Sequence, residues 1–180
     1  FISLEEALEI VDDRTFIIMV DHHRPSLSAA GPLVNEHEVV IIDHHRRSED
    51  FPVKPVLTFI EPYASSTSEL VTEFFIYMRN SHETLNKTEA TALLAGIIVD
   101  TNNFASRTGS RTFDAASYLK SRGDNEHLIQ QLLKEDLKRL LERNEIIAQA
   151  HYIDEDIIVA TAQEGKVYDN VTASQAADVM

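Results

Sequence analysis

Two apolar runs of strand length, residues 16–20 (Phe-Ile-Ile-Met-Val) and 39–42 (Val-Val-Ile-Ile), stop abruptly at the same tripeptide: Asp21-His22-His23 after the first, Asp43-His44-His45 after the second. Runs apolar on both faces are what a buried parallel sheet requires. The interval between them contains Pro25, Gly31, Pro32 and one short helical piece, which is long enough for a crossover. Residues 55–60 read as a third strand. Beyond them the pattern turns helical. Ser3 and Ser66 each have a glutamate three positions later (Glu6, Glu69), the signature of a capping box. Helices are predicted from the first of these to about residue 11 and from the second to about 79, with Leu70, Phe74 and Met78 spaced four apart. Others are predicted over 88–99, 111–120, 125–134 and 135–150. Residues 157–160 read as a lone late strand opening a second domain. The predicted fold is α/β: a parallel sheet flanked by helices, then a helical segment and the start of a second α/β domain.

Open parallel sheets place ligand sites beyond the carboxyl ends of their strands, which puts Asp21, His22, His23, Asp43, His44 and His45 on one rim. Carboxylate oxygens and imidazole nitrogens are ligands for manganese, zinc or iron. Side chains alternate in an extended segment, so one of two adjacent histidines is expected to face an ion and the other to be left for substrate. His22 and His23 precede an ordinary loop, Arg24-Pro25-Ser26, and are read as exposed. Asp100 ends the apolar stretch 93–99, where a carboxylate is expensive to bury unless paired or bound to metal; a solvated helix-end cap is the alternative. Asn102 and Asn103 suit phosphate binding or a turn. The hydroxyl-rich helix start 64–69 suits an anion, although capping is the commoner use of each hydroxyl. Arg46, Arg47, Arg107 and Arg111 are phosphate clamps or surface residues. His37, His82, His127 and His151 stand alone and read as surface or satisfied core histidines.

Acidic residues outnumber basic ones 30 to 16, a formal charge of -14. Long DNA or RNA held electrostatically needs a basic face, and an anionic membrane surface would repel such a chain. The absence of cysteine excludes disulfides, thiolate catalysis and Cys-based zinc sites. No stretch approaches the roughly 20 apolar residues of a membrane span. The start at Phe1 and the helix-like end at 173–180 read as cut ends, so a segment of a longer protein is expected.

Val39-Val40-Ile41-Ile42-Asp43-His44-His45-Arg46-Arg47 resembles the signature motif of the DHH phosphoesterase superfamily, and Asp21 after residues 16–20 resembles its preceding aspartate motif. Glu61-Pro62-Tyr63-Ala64-Ser65-Ser66-Thr67-Ser68-Glu69-Leu70 and Ala95-Gly96-Ile97-Ile98-Val99-Asp100-Thr101-Asn102-Asn103-Phe104 resemble the next two motifs. With Val20-Asp21-His22-His23-Arg24-Pro25-Ser26, the wording is most similar to the membrane-anchored cyclic-di-AMP phosphodiesterases of Gram-positive bacteria. The resemblance covers nearly the whole chain. It implies a DHH domain over residues 1–134, a helical linker over 135–153 and the start of a DHHA1 domain over 154–180. It also implies two manganese ions, with Asp21 bridging both and His44 and Asp100 completing one. His45 would face the scissile phosphate, with Arg46 and Asn103 as further substrate contacts. His22 and His23 are not ligand positions in that pattern. The family's earlier motif, a His and an Asp-x-Asp, has no match here and is expected upstream of Phe1, as are membrane helices and regulatory domains.

The implied reaction is hydrolysis of cyclic-di-AMP to linear pApA by a metal-bridging hydroxide. A chain at -14 cannot attract a phosphodiester by net charge, so divalent cations must do so locally. The implied setting is the cytoplasmic catalytic segment of a bacterial cell-membrane protein. This segment would touch neither long nucleic acid nor membrane, and a homodimer is left open. Two alternatives stand: a nanoRNase or single-strand exonuclease of the same superfamily, and an inactive truncated binding fragment.

Overall fold

A computed structural model describes residues 2–78, 84–123, 125–162 and 165–180. His82 and the helix end expected at 79 lie outside them. The chain divides into two compact units, Phe1–Leu133 and Lys134–Met180.

In the first unit, β1 (Phe16–Val20), β2 (Glu38–Asp43) and β3 (Leu57–Ile60) form a parallel sheet in the order β1-β2-β3. Helix α1 (Leu4–Ile10) precedes it, started by a complete Ser3–Glu6 capping box. The crossover from β1 to β2 runs through a 3-10 turn at Pro25–Leu27 and the short α2 (Gly31–Val34). The central strand β2 carries the core: Val39, Ile41, Met19 and Val34 pack together as one buried cluster. Strand β1 differs from the expectation of a run buried on both faces. Among the described residues it lies at the edge of the sheet, and Phe16, Ile18 and Val20 on one of its faces are about half exposed.

Helices α3 (Thr67–Tyr77), α4 (Lys87–Asp100), α5 (Ser110–Ser121) and α6 (Glu126–Leu132) complete the unit. Ser66 caps α3, and Asn86 with Glu89 forms a capping box on α4. Ala90, Leu94, Ile97, Ala115, Leu119 and Ile129 form a second core between α4, α5 and α6. Helix α4 fixes the position of Asp100, its last residue, and it packs closely on α3 at Gly96. A Cβ at that glycine would run into Ser68 Oγ and come within 3.1 Å of Ser68 Cβ. Gly96→Ala is therefore expected to destabilise the unit. Overpacking costs about 1–3 kcal/mol against at most about 1 kcal/mol gained in helix propensity. A lowered urea midpoint with an unchanged slope would confirm it, and an unchanged midpoint would refute the close contact.

The second unit comprises α7 (Leu137–Ile147), β4 (His151–Asp154), β5 (Ile157–Val159) and α8 (Asn170–Ala177). Strands β4 and β5 form an antiparallel hairpin with a register shift between Tyr152 and Asp154. Strand β5 is thus not the lone strand expected at 157–160. Its partner, β4, begins inside the stretch 135–153 expected to be a helical linker, because a four-residue run is too short to announce itself by periodicity. Lys166 Nζ donates to Glu145 Oε2 at 2.6 Å within this unit.

Candidate metal centre

The parallel register pairs Val20 with Ile42, so the residues that follow, Asp21 and Asp43, stand level at the carboxyl rim. Asp21 leaves β1 in the left-handed region, φ 65°, while its N–H still donates to Ile42 O at 3.0 Å. Asp is one of the few side chains that tolerate that conformation. It turns the carboxylate toward His44, whose Nε2 lies 3.5 Å from Asp21 Oδ1 and 3.7 Å from Asp100 Oδ2. Ligands held about 2.1 Å from a common ion stand about 3.0–3.5 Å apart; the Asp21 spacing lies at the top of that range and the Asp100 spacing is slightly wider. Asp21, His44 and His45 also offer ligand atoms all within 4.8 Å of one another.

That His45 joins His44 departs from the expected alternation. Strand β2 ends at Asp43, and the chain then turns back on it: His45 N–H donates to Asp43 Oδ1 at 3.1 Å, a local aspartate turn. The two imidazoles meet edge to face at 4.4 Å.

Asp100 is followed by an unusual loop. Asn102, Asn103, Phe104 and Arg107 all have positive φ, a conformation that asparagine accepts but phenylalanine and arginine rarely adopt. Buried Thr101 staples the loop: its hydroxyl donates to Ile97 O at 2.7 Å and accepts from Phe104 N–H at 2.9 Å. The loop returns Arg107, Thr108 and Gly109 to a cavity of about 580 Å³ that His44, His45, Arg46, Pro62, Tyr63 and Ala64 also line. Asn103 lines a different, mainly apolar cavity beside Phe104 and Phe113. A third cavity, about 350 Å³, lies between Asp21 and Asp100, and among the described residues the buried Thr67 Oγ1 on its wall has no hydrogen-bond partner.

Residues 3–97 match the family model described as the DHH family, N-terminal domain. The chain belongs to the DHH family. It is 49% identical over 181 residues to "Cyclic-di-AMP phosphodiesterase GdpP" of Bacillus subtilis (strain 168). It is 47% identical over 180 residues to "Cyclic-di-AMP phosphodiesterase PdeA" of Listeria monocytogenes serotype 1/2a (strain 10403S). Each alignment covers 99% of this chain and 27% of the relative, so the chain spans about a quarter of their length. A crystal structure of an exopolyphosphatase-related protein from Bacteroides fragilis shares the fold, with a TM-score of 0.65 at 23% identity over 82% of this chain and 44% of that one.

In this DHH domain the electrostatics of the rim leave a place for a cation. Burial, and then the charge of Asp21, push the Asp100 pKa above the ordinary carboxylate value, and His44, His45 and Arg107 offset this only in part. The residues present therefore fit a divalent ion: two carboxylates that repel each other and two imidazoles of the right hardness.

The DHH tripeptide also holds a residue that the sequence did not reveal. His23, read as exposed, is 2% exposed, and its Nδ1 lies 2.6 Å from Oδ2 of Asp43, itself 0% exposed. The available signal was Asp43: a carboxylate ending a central apolar strand needs a buried partner. His22 stays partly exposed and donates from Nδ1 to Val20 O at 3.0 Å. Tyr63, 94% exposed, also lines the cavity of His44, His45 and Arg46.

Proposed function

We propose that this chain is the DHH part of a manganese-dependent phosphodiesterase that hydrolyses cyclic-di-AMP to linear pApA. The approach of Asp21 and Asp100, from separate parts of the chain, to within 3.7 Å of His44 Nε2 supports the reading. The similarity to relatives named as cyclic-di-AMP phosphodiesterases supports the choice of substrate. Two manganese ions at the complete site would supply positive charge and Lewis acidity.

The chain's own residues do the rest. Asp21, His44 and Asp100 would hold a divalent ion, which would supply positive charge at the rim. His45 keeps Nδ1 on Asp43, which leaves Nε2 as the ring atom for the phosphate. Arg46 and Arg107 border the same cavity, where each can pair with a phosphate oxygen. Tyr63 presents a free ring face on which a nucleobase can stack. Asn103, on its separate cavity, reaches substrate only through the turn it shares with Asp100. The parent protein would be anchored in a cell membrane with this segment in the cytoplasm. Among the described residues, no helix is long and apolar enough to cross a membrane.

The test is turnover by the intact protein with manganese, comparing cyclic-di-AMP with short linear RNA. Conversion of the cyclic dinucleotide to pApA, abolished by chelation and restored by manganese, is expected, with RNA cleaved far more slowly. Rapid RNA cleavage without cyclic-di-AMP turnover would assign the chain to the nanoRNases instead.

A further inference from the structure

We propose that His23 is a positioning residue for His45: acting through Asp43, it fixes which ring nitrogen of His45 faces the site. The inference rests on the proposed function only for the role of His45. Its geometry stands independently.

The hydrogen bonds determine the proton positions. Two atoms of Ser48 reach His23 Nε2: its hydroxyl Oγ at 3.1 Å, and its backbone N–H, which can only donate, at 3.0 Å. That nitrogen therefore carries the lone pair, and the single proton of a neutral imidazole sits on Nδ1. His23 Nδ1–H then donates to Asp43 Oδ2 at 2.6 Å. The other oxygen, Oδ1, accepts two donors from His45, its N–H at 3.1 Å and its Nδ1–H at 2.7 Å. Three N–H groups thus surround a carboxylate with no exposure to water, and neither oxygen can rotate away without stranding a partner.

The consequence reaches the cavity. The His45 side chain is 57% exposed, and among the described residues Asp43 alone restrains its ring through a hydrogen bond. With Nδ1–H committed, Nε2 is the atom presented. Without His23, Asp43 would keep only one anchored oxygen, free to swing, and His45 would lose its fixed tautomer. The arrangement is the one by which metal and acid–base sites orient an imidazole through a buried carboxylate. Here the orienting carboxylate is itself oriented, by a histidine 20 positions earlier at the end of a neighbouring strand.

His23 also packs on Phe51, with ring centroids 5.6 Å apart, so the test must separate positioning from filling space. An asparagine places its amide nitrogen near the position of Nδ1 and keeps the donor to Asp43. A glutamine is larger and reaches the position of Nε2, but has no donor at Nδ1. In the intact manganese-loaded protein, His23→Gln is expected to lower kcat about 10- to 100-fold with KM within about twofold, while His23→Asn stays within about threefold of wild type. Long-range proton–nitrogen NMR of the metal-free 180-residue chain gives the second readout. His45 should carry its proton on Nδ1 in wild type and His23→Asn, and populate both tautomers in His23→Gln. Equal damage from both substitutions, or a His45 tautomer unchanged in His23→Gln, would overturn the proposal. A wild-type chain with the His45 proton on Nε2 would do the same. The spectra require no turnover, so they decide the question even if cyclic-di-AMP proves not to be the substrate.

Discussion

Asp100→Asn is expected to lower manganese-dependent turnover of the intact protein by at least about 10³-fold, several kcal/mol of lost cation binding and charge stabilisation, and at the same time to raise the thermal midpoint of the metal-free chain. The first effect follows from its place 3.7 Å from His44 Nε2, opposite Asp21. The second follows from the direction of its pKa. Burial, and next the charge of Asp21, raise the folded-state value above that of the unfolded chain. A carboxyl raised in this way contributes no penalty at pH values below its unfolded pKa. The penalty grows as pH rises through the folded pKa and is fully present above it. At neutral pH the ionised side chain therefore opposes folding, and an isosteric amide relieves the strain. A rise of about 1–3 °C near pH 7, shrinking to nothing near about pH 3, is the expected scan. Asp21→Ala should match the loss of turnover and remove the second cause of the shift. A midpoint that falls in Asp100→Asn would mean that the carboxylate is a structural cap, and the cation reading of this rim would fail with it.

Such opposed effects on stability and activity are characteristic of a site assembled for a ligand rather than for the fold. They also explain which parts of the site were legible in the sequence. Residues 16–20 and 39–42 could be recognised because a strand in a parallel sheet must be apolar along its length, and the residue after it must sit at the ligand rim. Asp21, His44 and Asp100 were visible for that reason: Asp21 and Asp100 are each the first polar side chain after an apolar run, and His44 directly follows the first one, Asp43. Hydrophobicity does not say whether both faces of a strand are covered, and β1 leaves one face open. Nor does local pattern carry a partner 20 residues away, so His23 looked like a loop residue although its ring lies beside Asp43. The turn from β2 into His45 was hidden for a related reason. Alternation holds only while the chain is extended, and Asp43 ends the extension by accepting the N–H of His45. Strand β4 was missed because four residues contain too few repeats to distinguish a strand from the end of a helix.

Asp43→Ala is expected to cost about 3–5 kcal/mol of folding free energy, the largest stability loss at this rim, because it removes the shared acceptor of a buried charged network. Burial alone would raise the Asp43 pKa, but the hydrogen bonds from His23 and His45 outweigh it and hold the carboxyl below its ordinary value, so the native state contains the ion. Removing the carboxylate strands the Nδ1–H of His23 in a place without water. Moving the His23 proton to Nε2 would set it against the N–H of Ser48 at 3.0 Å, with the Ser48 hydroxyl oxygen at 3.1 Å as the remaining acceptor. For the same reason Asp43→Asn, although isosteric, is expected to recover little: its amide N–H₂ must point either at His23 Nδ1–H or at the two donors of His45. Urea denaturation provides the measurement, and a cycle with His23→Ala provides the control. If the network acts as a unit, the double variant should be scarcely less stable than Asp43→Ala alone, since the donor left without an acceptor is gone too. Strictly additive losses would show that the two side chains stabilise the fold separately, and an Asp43→Ala midpoint within about 1 kcal/mol of wild type would show that the carboxylate is not the keystone the geometry makes it.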